Sequence, residues 1–354
     1  MKKSDTSDAA SAAGESPIRT MLEAREYEIL SAHAAKASES RGRQMAEFED
    51  PYRTAYQRDR DRILHTKAFR RLKQKTQVFL SPEGDHFRTR LTHTLEVTQI
   101  ARTVARALCL NEDLTEAIGT GHDLGHTPFG HAGESVLNEA VAGGFRHFEQ
   151  SLRVVDKLEK RGECHGLNLT WEVRDGIRYH SQGKALLRGL PCPGPNTLEG
   201  AVVSISDAIA YINHDIDDAL RAGIIQLDDL PRDAIAALGE RTSERIDRMV
   251  VGLIEGSQDG QVGILPEILE PMNALRDYLY SQLYPCDAID GEIRKAKKML
   301  RELFDYLLEN PTPDLLAADG EDNLERRVVD YIAGMTDDYA IRLYQKIFMP
   351  LHYH

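Results

Sequence analysis

Residues Leu198 to Ala222 carry the most constraining pattern in the chain. Leu198, Val202, Ile205, Ile209, Ile212, Ile216 and Leu220 recur at helical spacing and form one apolar stripe. Thr197 is placed to cap the start, and Gly223 to end the helix. The opposite face carries Ser204, Asp207, Tyr211, His214, Asp215 and Asp218. A helix with so continuous a stripe needs other helices to bury it. The sequence supplies them: Val97, Ala101, Val104 and Leu108 repeat at the same spacing after His93. Asn111 then starts a new segment, Glu112 to His122, with acidic residues in the first turn, where the helix dipole favours them. Strand signals are short and scattered, so the expected fold is all-α.

The 354 residues suit one large domain or two smaller ones. Residues 1–17, rich in Ser, Ala, Asp and Gly, read as a disordered tail, and 18–50 as a charged, helical peripheral arm. Residues 51–223 hold the informative motifs and form the expected core. Residues 224–354 form a C-terminal helical region expected to pack on it, with a break at Asn310–Pro313 and a polar loop to Asn323. No apolar run approaches the ~20 residues of a membrane helix, and Met1 to Pro17 lacks the apolar stretch of a secretory signal. Cys109, Cys164, Cys192 and Cys286 form no CxxC pair. A cytoplasmic protein with reduced thiols is therefore expected, with no membrane partner. The net charge of −13 argues against a general nucleic-acid coat. Yet Arg53 to Arg90 holds eleven Lys/Arg against four Asp/Glu. Such a local excess either meets a small polyanion or forms a solvated basic helix paired with acidic neighbours.

The densest chemistry lies in His122-Asp-Leu-Gly-His-Thr-Pro-Phe-Gly-His-Ala-Gly-Glu134. Its glycines and proline force a turn, and a helix ending at His122-Asp123 would point an imidazole and a carboxylate into whatever cavity lies there. That pair suits Mn, Fe, Co, Ni or Zn, and carboxylate with water suits Mg. Two ligands are too few. His93 and Asp207 complete a set of two nitrogens and two oxygens that leaves positions open, as a hydrolytic site requires. Taken singly, each of these residues also suits a cap or a solvated face.

These segments resemble a known family. Arg90-Leu-Thr-His93, His122-Asp123 and Asp207 resemble the H…HD…D signature of the HD superfamily. Arg70 to Phe79, His122 to Glu134, Ser206 to Tyr211 and Asp330 to Asp337 resemble, more narrowly, the dGTPase-like deoxynucleoside triphosphate triphosphohydrolases. The likeness spans roughly residues 52–345. It implies an HD-domain helical core and metal-dependent release of inorganic triphosphate from a dNTP, whether dGTP alone or several. It implies metal ligands at His93, His122, Asp123 and Asp207, with the ion among Mn, Mg, Fe, Co and Ni. It places His131 and Glu134 at the catalytic centre, with His126 at a position that varies among relatives. It puts Gln74, Arg90, Tyr211 and Asp215 against the substrate. Relatives that carry a lysine after the last aspartate have no counterpart here, where Ala208 stands; the missing cation is expected from the Arg53 to Lys75 segment. The family further implies a homo-oligomer, often a hexamer, and in some members activation by a second, allosteric dNTP. Single-stranded nucleic acid is a partner that no feature of the sequence calls for. The alternatives are another HD phosphohydrolase, a 5′-nucleotidase or phosphodiesterase, or a non-enzymatic nucleotide sensor.

Overall fold

In a computed structural model of the protein, which describes residues 17–77, 88–182, 185, 193–317 and 322–350, regular structure is almost entirely helical. The N-terminal half contains α1 (Pro17–Ile29), α2 (Ala55–Leu64), α3 (Lys67–Arg71), α4 (Arg90–Ala107), α5 (Glu112–Gly121), α6 (His131–Ala140), α7 (His147–Arg153) and α8 (Trp171–Tyr179). The long α9 (Leu198–Arg221) follows, and then α10 (Arg232–Leu238), α11 (Thr242–Gly256), α12 (Pro266–Tyr278), α13 (Asp287–Glu309), α14 (Pro313–Ala317), α15 (Leu324–Ala333) and α16 (Asp337–Phe348). The only sheet among the described residues is a two-stranded antiparallel ribbon, Lys160–Arg161 with Cys164–His165. The expected tail lies, but for Pro17, outside the described residues, as do Val78 and Phe79 of the family-like segment.

The helix ends follow local chemistry. Thr197 Oγ1 accepts from Gly200 N at the start of α9, and Gly223 takes a left-handed φ of +66° beyond its end. Asn111 caps α5 by accepting from Leu114 N. His93, expected ahead of its helix, sits inside the first turns of α4. The centre of the fold is α4 packed against α5 and α9, with α2 across α5. A Cβ on Gly119 would lie 2.7 Å from Thr98 Oγ1, so α4 and α5 approach more closely than any larger residue allows.

The polar face of α9 departs from a solvated stripe: Ser204, His214, Asp215 and Asp218 are all buried. One apolar core runs through α2, α4, α5, α8 and α9 and includes Met249 and Leu253 of α11 and Met272 and Leu275 of α12. A second joins Phe129, Val136, Leu137 and Phe145 to Leu300, Leu303 and Phe304 of α13 and Val328 and Ile332 of α15. The 18–50 arm is α-helical only to Ile29. Beyond it, carboxylates hold the backbone instead. Glu26 accepts from Ala37 N, Glu199 Oε1 from Ala35 N and Asn111 N, and Glu172 from Arg41 N. Among the described residues no helix is long and apolar enough to cross a membrane.

Candidate active site

Three elements deliver the expected ligands to one place. The end of α5 presents His122 and Asp123, the start of α4 presents Arg90 and His93, and the middle of α9 presents Asp207. His93 Nε2 lies 3.0 Å from Asp207 Oδ1 and 3.9 Å from Asp123 Oδ2. His122 Nε2 lies 3.5 Å from Asp123 Oδ1 and 3.9 Å from Asp207 Oδ1. Ligand atoms of His93, His122 and Asp207 all fall within 4.8 Å of one another. His122 Nδ1 donates to Gly119 O at 2.7 Å, which leaves Nε2 as an acceptor; that atom is fully buried and has no partner. A buried lone pair without a donor, facing two carboxylates, fits a cation.

The electrostatics agree. Burial pushes the Asp123 carboxyl up, but His122, His126 and the Arg90 guanidinium, 2.9 Å away, outweigh it and hold Asp123 well below the ordinary range. Burial likewise opposes ionisation of Asp207, and the His93 hydrogen bond overrides it. His93 is lowered by burial but raised on balance by Asp207. Without a metal, a proton between them takes the cation's place.

A second group adjoins the first. His131 opens α6 and its side chain is 74% exposed; its Nδ1 lies 3.2 Å from Glu134 Oε2. Glu134 also accepts from His147 N and Nδ1 at 3.0 Å, and these bonds hold its carboxyl far below the usual range against the burial that would raise it. His126 contacts Asp123 Oδ1 at 3.2 Å and stacks on His147 with ring centres 4.0 Å apart. Burial first, then Arg90 and His147, keep His126 neutral. His180 meets His147 through their Nε2 atoms at 3.3 Å, and burial lowers it to about 3. The turn that carries these groups depends on Gly130, at φ +53°, where a Cβ would lie 2.7 Å from Arg90 Nη2.

His93, Asp123 and Asp207 of the first group and His126, His131, His147 and His180 of the second line one cavity of about 470 Å³, together with Tyr211, Asp215, Tyr280 and Tyr284. That volume suits a nucleotide-sized ligand. Tyr284 OH donates to Asp215 Oδ2 at 2.5 Å, yet burial still raises Asp215 to about 7. Gln77, not Gln74, reaches this cavity, together with Arg90 and Ala208.

Gln74 and the basic segment line a separate cavity of about 1140 Å³, with Arg53, Arg62, Arg70 and Arg71 on its wall. The structure therefore does not bring the expected Arg53 to Lys75 cations to the metal cluster. The two cavities share a wall. Lys75 and Gly125 face the basic side, and Gln77 and His126 the other. Buried Lys75 donates to the carbonyls of His126 and Ala333, and burial lowers it to about 7. Asp337 accepts from Thr76 N, Thr76 Oγ1 and Phe129 N, tying α16 to the same loop.

Sequence reasoning missed His147, His180, Tyr280 and Tyr284, and left His214 of the α9 polar face and Gln77 of the family-like segment without a role. None stands at a diagnostic spacing from the His122 to Glu134 run. Asp337 closed a segment already noted, without a role.

Comparison with known proteins places these residues in a familiar frame. The HD domain model matches residues 90–212, and a phosphohydrolase-associated domain matches 262–346. A deoxyguanosinetriphosphate triphosphohydrolase-like protein of Caldanaerobacter subterraneus subsp. tengcongensis is 55% identical, covering 94% of this chain and 96% of its own. Proteins of the same description from Desulfatibacillum aliphaticivorans and Clostridium perfringens are 49% and 46% identical, each with 94% of this chain and 98% of theirs aligned.

Proposed function

Since this chain belongs to the deoxyguanosinetriphosphate triphosphohydrolase-like family of HD-domain proteins, we propose that it hydrolyses deoxynucleoside triphosphates to a deoxynucleoside and inorganic triphosphate. The reading is carried by one cavity of about 470 Å³ lined both by His93, Asp123 and Asp207 of the ligand cluster and by His131, whose Nδ1 lies 3.2 Å from Glu134. The bond between the 5′-oxygen and the α-phosphorus breaks. Water adds to phosphorus, and a proton reaches the departing oxygen.

His93, His122, Asp123 and Asp207 would hold a divalent ion, which supplies Lewis acidity toward the phosphate when bound. His131 moves the proton, because its exposed ring lines the cavity and an imidazole can both give and take a proton. Glu134 fixes its tautomer by accepting from Nδ1, leaving Nε2 to the reacting atoms. Arg90, braced by Asp123, offsets phosphate charge. Tyr211 and Asp215 bind the sugar; Asp215, raised to about 7, offers a proton to a hydroxyl at neutral pH.

A second, activating dNTP would find in the larger basic cavity the cations that Ala208 denies the first. A cytoplasmic homo-oligomer, tested by light scattering, completes the reading. The decisive experiment incubates metal-defined protein and Mn(II) with each dNTP, singly and in pairs, and assays triphosphate. Release of triphosphate supports the proposal. Its absence from every mixture, beside an active control enzyme, refutes it, and release of monophosphate products would move the chain to another HD phosphohydrolase.

A further inference from the structure

A histidine serves a cation only if its lone pair faces the ion. For His122 the Nδ1 bond to Gly119 O fixes this. For His93 the fixing groups lie outside the ligand set. His93 Nδ1 lies 3.2 Å from Nδ1 of His214, and His214 Nε2 lies 2.6 Å from Glu96 Oε2. We propose that Glu96 and His214 form an outer relay that holds the proton of His93 on Nδ1 and aims its Nε2 lone pair at the cation site. The inference rests on the metal-site reading above.

A nitrogen 2.6 Å from a carboxylate oxygen carries a proton, so His214 Nε2 is the donor to Glu96. A neutral imidazole has one N–H, which makes His214 Nδ1 an acceptor and His93 Nδ1 the donor to it. His93 Nε2 then faces Asp207 Oδ1 at 3.0 Å, where a shared proton holds the pair together in the metal-free protein and a cation would take that proton's place. The relay is built from the two helices that already supply ligands. Glu96 stands three residues after His93 on α4, and His214 seven residues after Asp207 on α9, so each lies on its ligand's face. His214 is buried, whereas the Glu96 side chain is 42% exposed and also receives Arg88 Nε at 3.2 Å. Glu96 can thus be changed without opening the core. Outer partners of this kind orient ligating histidines and typically account for 10–100-fold in metal affinity.

Mn(II) affinity of the chelator-treated full-length chain, read by electron paramagnetic resonance, tests the relay without reference to turnover. Glu96→Leu should weaken binding about 10–100-fold while the metal-free protein stays folded, its melting temperature lowered by no more than the few degrees that one orphaned imidazole N–H costs. Glu96→Gln keeps an acceptor oxygen for His214 Nε2–H and should bind close to wild type. In the Zn(II)-loaded protein, ¹⁵N spectra should place the His93 proton on Nδ1. Wild-type affinity in Glu96→Leu, or a His93 ring without a proton on Nδ1, overturns the relay while the metal site stands. A wild-type chain that takes up neither ion overturns the metal-site reading itself, and the relay with it.

Discussion

His122→Leu separates a ligand from a structural histidine by the sign of its effects. In the metal-free protein His122 contributes one bond, Nδ1 to Gly119 O, and bears one buried acceptor with no partner, Nε2. A buried unsatisfied polar atom costs about 1–3 kcal/mol, and removing the bond leaves Gly119 O in the same position. Leucine occupies similar space, removes the first cost and introduces the second. The two nearly cancel, so metal-free stability should change by no more than about 1 kcal/mol. Metal-dependent stability should behave differently. Free ion at a hundred times its dissociation constant stabilises a one-site protein by about 2.7 kcal/mol. An unfolding entropy of about 2.1 cal/mol/K per residue gives roughly 0.7 kcal/mol/K for 354 residues, hence a rise of about 4 °C. Differential scanning calorimetry on chelated protein, before and after Mn(II), should show that rise in wild type and none in His122→Leu, at near-equal starting temperatures. The same rise in both proteins would refute His122 as a ligand. A metal-free variant destabilised by more than about 3 kcal/mol would show that the orphaned nitrogen costs nothing and that the ring is there for packing.

Glu134→Gln should lower kcat about 10²–10⁴-fold while sparing bound Mn, because it removes the charge and one acceptor that orient His131 and His147; triphosphate release and metal analysis on one sample check both halves. Asp337→Ala strips the acceptor from Thr76 N, Thr76 Oγ1 and Phe129 N. Amide exchange in 125–131 should accelerate and kcat should fall, and protection equal to wild type would refute the tie. Glu199 is buried and raised from an ordinary 4.5 to about 7. Its folded form binds the proton more tightly than its unfolded form, so stability is fullest below 4.5 and declines as pH rises through 7, by ~3 kcal/mol in all. Glu199→Gln should flatten that decline, and melting curves from pH 5 to 8 that stay parallel to wild type would exclude Glu199 as its source.

The helical class was legible because apolar spacing reports burial directly: the stripe of α9, the Thr197 cap and the Gly223 stop all stand where the sequence puts them. So was the approach of His93, His122 and Asp207, whose ligand atoms lie within 4.8 Å of one another; Asp123, 3.5 Å from His122 and 3.9 Å from His93, groups instead with His147 and His180. The polar stripe of α9 was less legible, since Asp215 and His214 look like solvated residues until Tyr284 and Glu96 are seen to satisfy them. Periodicity shows which face is apolar; it cannot show that a second layer covers the other face as well. His147 and His180 were invisible for a related reason. They reach Glu134 and each other from α7 and the end of α8, by contacts that no short-range spacing encodes.

The basic segment shows why a charge count cannot assign a site. Several of its cations are already committed: Arg53 to Asp50 and Asp61, Arg60 to Asp113 and Glu116, and Arg62 to Glu47. Lys67, Arg70 and Arg71 form no ion pair among the described residues, and they face the larger cavity, not the metal cluster. The reason is local. Thr76 is pinned by Asp337 between Lys75 and Gln77, so the chain crosses the wall there. Residues before the crossing open to one cavity, and Gln77 opens to the other. One carboxylate from α16 therefore decides which side of the wall each of these side chains serves. The unpaired charge of Lys67, Arg70 and Arg71 therefore faces the larger cavity, and Arg90, paired with Asp123, is the arginine of that basic stretch that lines the smaller one.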